Sequence, residues 1–129
     1  MIDVRGMGQV ALSAGDLDAT LAFWNGTLGI ATHARFEPPG IAFLLVGRVR
    51  LFFAPETTPG AVYLVVPDLE AAVRDLSAAG VSFDVPPTLV FEDAAGLFGS
   101  PGQAEWMAFL RDPAGNTIGL MSRRPIDPS

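Results

Sequence analysis

The apolar positions of this chain repeat. At a constant offset of 52 residues Val10 matches Val62, Leu12 matches Leu64 and Leu17 matches Leu69. The acidic positions keep step, Asp16 with Asp68 and Asp18 with Glu70. Each copy reads as a strand, an acidic residue, an amphipathic helix and a glycine. Asp16 and Asp68 suit an N-cap, because a short carboxylate accepts the orphan amides of a first helical turn. Leu17, Leu21, Trp24 and Leu28 form one apolar stripe at helical spacing; Leu69, Ala72, Val73, Leu76 and Ala79 form the other. Gly29 and Gly80 are placed to stop these helices.

The copies also end alike, in the Gly-led strands "GRVRLFF" (47–53) and "GNTIGLM" (115–121). Two further strands are predicted in each, near Ala31–Phe36 and Ile41–Val46, then near Val81–Asp84 and Glu105–Arg111. Each half therefore reads strand, helix, strand, strand, strand. This predicts an α+β fold of two βαβββ modules, 7–54 and 61–122, joined by the linker 55–60 within one domain spanning 1–129. The stretch "PPTLVFEDAAGLFGSPGQ" (86–103) is rich in Gly, Pro and Ala and is expected to be a long loop rather than a regular element. Its Phe91, Leu97 and Phe98 suit a lid or a dimer contact; a floppy insertion is the alternative.

With 129 residues, half of them hydrophobic and 17% charged, there is material for a packed core. The net charge of −6 and the lack of a basic cluster beyond Arg123-Arg124 leave no nucleic-acid footprint. The acidity serves solubility, or favours a cationic ligand. Without cysteine, disulfides, thiolate metal sites and cysteine nucleophiles are excluded. The first residues lack the pattern of a signal peptide, and no stretch reaches the ~20 apolar residues of a membrane span. A soluble, cytoplasmic protein is expected, with no membrane partner.

"QVALSAGDLDATLAFWNGTLGI" (9–30), "YLVVPDLEAAVRDLSAAGV" (63–81) and "EWMAFLRDPAGNTIGLMS" (105–122), in this order and duplicated, resemble the vicinal oxygen chelate superfamily. That superfamily groups glyoxalase I, bleomycin-resistance proteins and extradiol dioxygenases. Trp24 stands where Phe-Tyr-x-x-x-Leu-Gly has its Tyr, and Asp112-Pro113-Ala114-Gly115-Asn116 matches the frequent Asp-Pro-x-Gly-Asn. The resemblance implies a curled mixed sheet around a cavity, with the helices outside. It also implies four metal-ligand positions on the first and last strands of each module, which fall here on Gln9, Leu51, Ala61 and Gly119. Only Gln9 carries a donor atom, and one neutral amide cannot hold a divalent ion against water. The expectation is therefore no metal and no cofactor.

Strand alternation around those positions places Gln9, Ala11 and Ser13, Val49, Leu51 and Phe53, Ala61, Tyr63 and Val65, and Thr117, Gly119 and Met121 on the cavity side. Val10, Leu12, Val62, Leu64, Val66, Ile118 and Leu120 would lie under the helices. Gln9, Ser13, Leu51, Phe53, Tyr63, Thr117 and Met121 are the expected ligand contacts, with Trp106 available to stack on a flat ligand. The other reading is a hollow filled by its own side chains. His33, the only histidine, is either a general base or a rim residue; Glu105 reaches the cavity mouth or is a solvated strand end. Arg111-Asp112 forms a local pair or caps the turn. No Ser-His-Asp set, P-loop or dinucleotide fingerprint is present. Two functions fit. One is a metal-free protein that binds an apolar or aromatic, and in one version cationic, small molecule. The other is a glyoxalase-like lyase or dioxygenase with a displaced metal site, drawing on Gln9, His33, Glu37, Glu92 and Glu105. The resemblance also implies a homodimer, for which 35–45 offers an apolar edge.

Overall fold

The structure, a computed structural model, describes residues 1–127. It contains the two βαβββ modules. In the first, strand β1 (Gln9–Ser13) leads to helix α1 (Leu17–Ala22), then β2 (Thr32–Phe36), β3 (Ile41–Val46) and β4 (Val49–Ala54). In the second, β5 (Ala61–Val65) leads to α2 (Leu69–Ala78), β6 (Val85–Asp93), β7 (Gln103–Arg111) and β8 (Thr117–Pro125). Each module makes one mixed four-stranded sheet, ordered β1-β4-β3-β2 and β5-β8-β7-β6, in which only the first pair is parallel. Two compact units result: residues 1–60 with Asp112–Asn116, and residues 61–111 with the chain from Thr117 onward.

The helix signals act as expected. Asp16 and Asp68 accept the amides of Ala19 and Ala71, each at 3.1 Å. Gly29 and Gly80 follow the helices with φ of 77° and 93°, a conformation that a Cβ would strain. Beyond Ala22 the helix widens into a π turn, Phe23–Thr27, where the Leu28 amide reaches the Phe23 carbonyl at 3.0 Å. Two expectations fail in the second module. Residues 81–84 are not a strand, and much of the expected long loop is strand β6. Pro86 and Pro87 hid it. They lack a ladder donor, but β6 is an edge strand and its register shifts between Val85 and Thr88, across both prolines. Of the two roles expected for Arg111-Asp112, the turn cap holds, through Asp112, and the local pair does not, because the Arg111 guanidinium bonds Asp84 at 2.8 Å.

Residues opposite each other across a ladder share a face, so register decides which side chains meet the helix. The Trp24 ring lies 5.4 Å from that of Phe53. The helix side of the first sheet is thus Phe53, Leu51, Leu12, Leu44 and Ala42, all buried. Leu51 and Phe53 were expected on the opposite face; β4 is one residue out of step with that reading, because Val10 pairs with Leu51 and Leu12 with Phe53. They are core residues. In the second sheet the expected faces hold: Val62 and Leu64 pair with Ile118 and Leu120 on one side, Tyr63 and Val65 with Gly119 and Met121 on the other.

The Asp112–Asn116 turn completes the core of the first unit. Asp112 Oδ1 accepts the amides of Ala114 (3.0 Å) and Asn116 (2.9 Å), which closes the turn. Its Oδ2 accepts Trp24 Nε1 and Asn116 Nδ2, each at 2.9 Å. Asn116 Oδ1 accepts the amides of Ser13 and Gly60 at 3.0 Å, and its Nδ2 donates to the Ser13 carbonyl at 2.8 Å. Asn116→Ala would strip partners from several buried groups at once, each costing about 1–3 kcal/mol when left unpaired. We expect it to destabilise the protein by at least about 3 kcal/mol in urea unfolding; a loss below about 1 kcal/mol would show that the turn is peripheral.

Candidate functional site

Each sheet leaves the face away from its helix open. On the first sheet this face carries Gln9 and Ala11 of β1, Arg50 and Phe52 of β4, Phe43 of β3 and Phe36 of β2, fixed by the pairs Gln9–Arg50, Ala11–Phe52, Phe43–Phe52 and Phe36–Ile41. Phe43 and Phe52 stack at 4.9 Å with their rings 12° apart, and Phe36 meets Phe43 edge-on at 6.2 Å. Arg50 Nε donates to Gln9 Oε1 at 2.7 Å, and its guanidinium lies 5.4 Å from the Phe43 centroid. Ser13 closes the row, almost buried, with its backbone held by Asn116.

These residues do not fit a divalent ion. The only donor expected from the family pattern, Gln9 Oε1, is already spent on a guanidinium, and a cation beside it opposes a second positive charge. Among the described residues, no group of three or more His, Cys, Asp or Glu side chains is placed to share a metal ion. His33 is exposed where the β2 register shifts, and Glu37 pairs with Arg35 at 3.0 Å.

On the second sheet the open face carries Tyr63, Val65, Thr117, Gly119 and Met121, with Phe109 of β7 paired to Gly119. Gly119 is where the family pattern expects a metal-binding side chain, and its surroundings explain the glycine. A Cβ there would meet the Tyr63 ring at 2.7 Å and Phe109 at 3.1 Å. The tyrosine ring lies across the strand, edge-on to Phe109 at 5.8 Å, in the space that side chain would need. Met121, with Val65, Val66 and Pro67, lines a hollow of about 260 Å³.

Trp106 belongs elsewhere. It pairs with Ser122 in the row next to Ala108 and Leu120, on the α2 side. One ring face is occupied: the Arg124 guanidinium sits 3.7 Å above it and is held by Glu70 of α2 at 2.8 Å. Together with Leu89, Glu92 and Ile126 it lines a separate hollow of about 450 Å³.

Sequence reasoning missed two features. One is Arg50, whose place beside Gln9 depends on register. The other is a network around Asp93 and Arg123. Arg123 bonds Glu105 at 2.6 Å, Asp93 at 2.8 Å and the Ser100 carbonyl at 3.1 Å. Asp93 accepts the amides of Leu97 (2.6 Å) and Phe98 (2.9 Å), so it anchors the loop that follows β6. Glu105 is thus a structural partner of Arg123 rather than a solvated strand end. Burial of the Asp93 carboxyl works to raise its pKa, but the Phe98 amide, Arg123 and the Leu97 amide outweigh it and hold it at about 2. A depressed folded-state pKa stabilises the fold above the ordinary carboxyl range, and that contribution is lost as pH falls from about 4 through about 2. Asp93→Asn should be less stable at neutral pH and lose less stability across that acid window than the unmodified protein. Parallel acid-unfolding curves would contradict the assignment.

Comparison with known proteins supports the topology. A family model for the Glyoxalase/Bleomycin resistance protein/Dioxygenase superfamily matches residues 6–120. Among solved structures, the lactoylglutathione lyase of Agrobacterium tumefaciens is similar at 18% identity and a TM-score of 0.73, over 93% of this chain and 95% of that one. A superfamily member from Sphaerobacter thermophilus is similar at 16% identity and 0.71, over 92% and 98%. A glyoxalase/bleomycin resistance protein/dioxygenase from Nocardioides gives 16% and 0.71, over 100% and 89%. At such identities the likeness concerns the fold. No curated protein matches the sequence significantly. With the duplicated βαβββ modules in place and the family model covering nearly all of it, the chain belongs to the glyoxalase/bleomycin resistance protein/dioxygenase superfamily.

Proposed function

We propose that this protein binds a small molecule with an apolar or aromatic body on the helix-free faces of its sheets, without a resident metal. One observation supports this above the others: large apolar side chains stay exposed where no helix covers the sheet. Tyr63 is 54% exposed, Val65 79%, Phe36 52% and Leu45 47%. Large apolar side chains exposed on an uncovered sheet face mark a binding surface. In this proposal Gln9 and Ser13 serve on the first sheet's face, and Tyr63, Thr117 and Met121 on the second's, as polar handles and wall. Trp106 is assigned to the separate hollow beside α2. Leu51 and Phe53 act from below, as the core that holds the first face rigid.

The fold likeness to a lactoylglutathione lyase favours lyase chemistry only as far as topology reaches, since Gln9, Ala61, Gly119 and the β4 neighbours Arg50 and Phe52 offer no metal-binding set. By the family resemblance we also propose a homodimer, with a second copy of the chain as the protein partner. No helix of the described residues is long and apolar enough to cross a membrane.

The test is a thermal-shift and calorimetric screen of aromatic and hydrophobic compounds. A ligand at 100 times its Kd stabilises by about 2.7 kcal/mol, enough to raise Tm by several degrees. At least one compound class is expected to do so, and light scattering should read twice the 13.6 kDa chain mass. A screen without a binder rejects the binding reading, and a monomer at micromolar concentration rejects the dimer.

A further inference from the structure

The chain as a whole is acidic, yet the helix-free face of the first sheet is not. Within its four strands that face carries one charged side chain, Arg50, and no acid. Arg50 is exposed, and Gln9 holds it by Nε alone. Both Nη nitrogens are without a partner among the described residues. A guanidinium pinned at Nε and free at its two ends presents a planar fork of parallel N–H groups, the geometry that matches a carboxylate. Gln9 also removes part of the ordering cost that a mobile arginine would meet on binding.

Beside this fork lies an aromatic floor. Phe43 and Phe52 stack in parallel, Phe36 meets Phe43 edge-on, and the small, exposed Ala11 pairs with Phe52. Arg50 reaches over Phe43, so the cationic end and the apolar surface are contiguous. A ligand that satisfied both would have a flat apolar body and one anionic head.

From this we infer that the ligand of the first sheet's open face is a small aromatic carboxylate, its carboxylate bound by Arg50 and its ring on Phe43 and Phe52. This reverses the polarity suggested by the net charge, because a bound head group responds to the charge beside it more than to dispersed charges screened by salt. It rests on the small-molecule reading above and specifies the ligand class for that face. Gln9 is the positioning residue.

A matched series separates the two claims: 2-naphthoate, 2-naphthamide and 2-naphthylmethylammonium, titrated calorimetrically into the full chain. Naphthoate should bind roughly tenfold more tightly than the amide, and the ammonium more weakly than either. Arg50→Gln should bring naphthoate down to the level of the amide. Arg50→Lys, which keeps the charge and loses the fork, should fall between. In the unmodified protein, the Arg50 Nε resonance should shift with naphthoate and not with the amide, a readout independent of whether a variant folds. Equal binding of acid and amide, preference for the ammonium, or an unchanged acid preference in Arg50→Gln would each overturn the carboxylate assignment while leaving the small-molecule reading intact. A series in which nothing binds overturns both.

Discussion

The carboxylate of Asp112 is the constraint on which the first unit is built. It is buried, and its two oxygens take four donors: two amides of its own turn, the Trp24 indole and the Asn116 side chain. Asn116 passes the constraint to the end of β1 through Ser13 and to the linker through Gly60. No buried side-chain nitrogen or oxygen among the described residues lacks a partner. A satisfied buried network of this kind specifies one arrangement, because any slip leaves a polar group bare in a low dielectric. The Asp-Pro-Ala-Gly-Asn segment is therefore structural here; its residues shape a turn and seat an indole.

That anchoring bears on the open face through β1. Ser13, held at its amide and carbonyl, fixes one end of the strand whose other end carries Gln9. Parallel pairing with β4 then dictates that Gln9 lies beside Arg50. The family pattern would put a metal donor on this strand pair, and this chain puts a guanidinium there. On the second sheet the change is steric: a glycine receives the Tyr63 ring where a ligating side chain would project. Among the described residues neither face carries a set of ligating side chains, and each carries aromatic side chains.

What was legible in the sequence is local. The caps Asp16 and Asp68 and the stops at Gly29 and Gly80 each depend on contacts within a few residues, and all appear in the structure. The duplicated order of elements follows from them. Register was not legible on β4, because Leu51, Phe52 and Phe53 are all apolar and a continuous apolar run does not reveal which side faces the core. The one-residue error moved Leu51 and Phe53 to the wrong face and hid Arg50. Edge strand β6 was missed because its leading prolines read as loop. The Asp93–Arg123–Glu105 network joins residues far apart in sequence, and nothing local marks them as partners.

The claim beneath this account is that Gln9 faces an arginine rather than a metal. Elemental analysis of the protein, purified without chelator from medium supplemented with zinc, nickel, manganese and iron, tests it directly. The account predicts far less than one equivalent of any of these metals per chain. One tightly held equivalent, lost on Gln9→Leu, would contradict it.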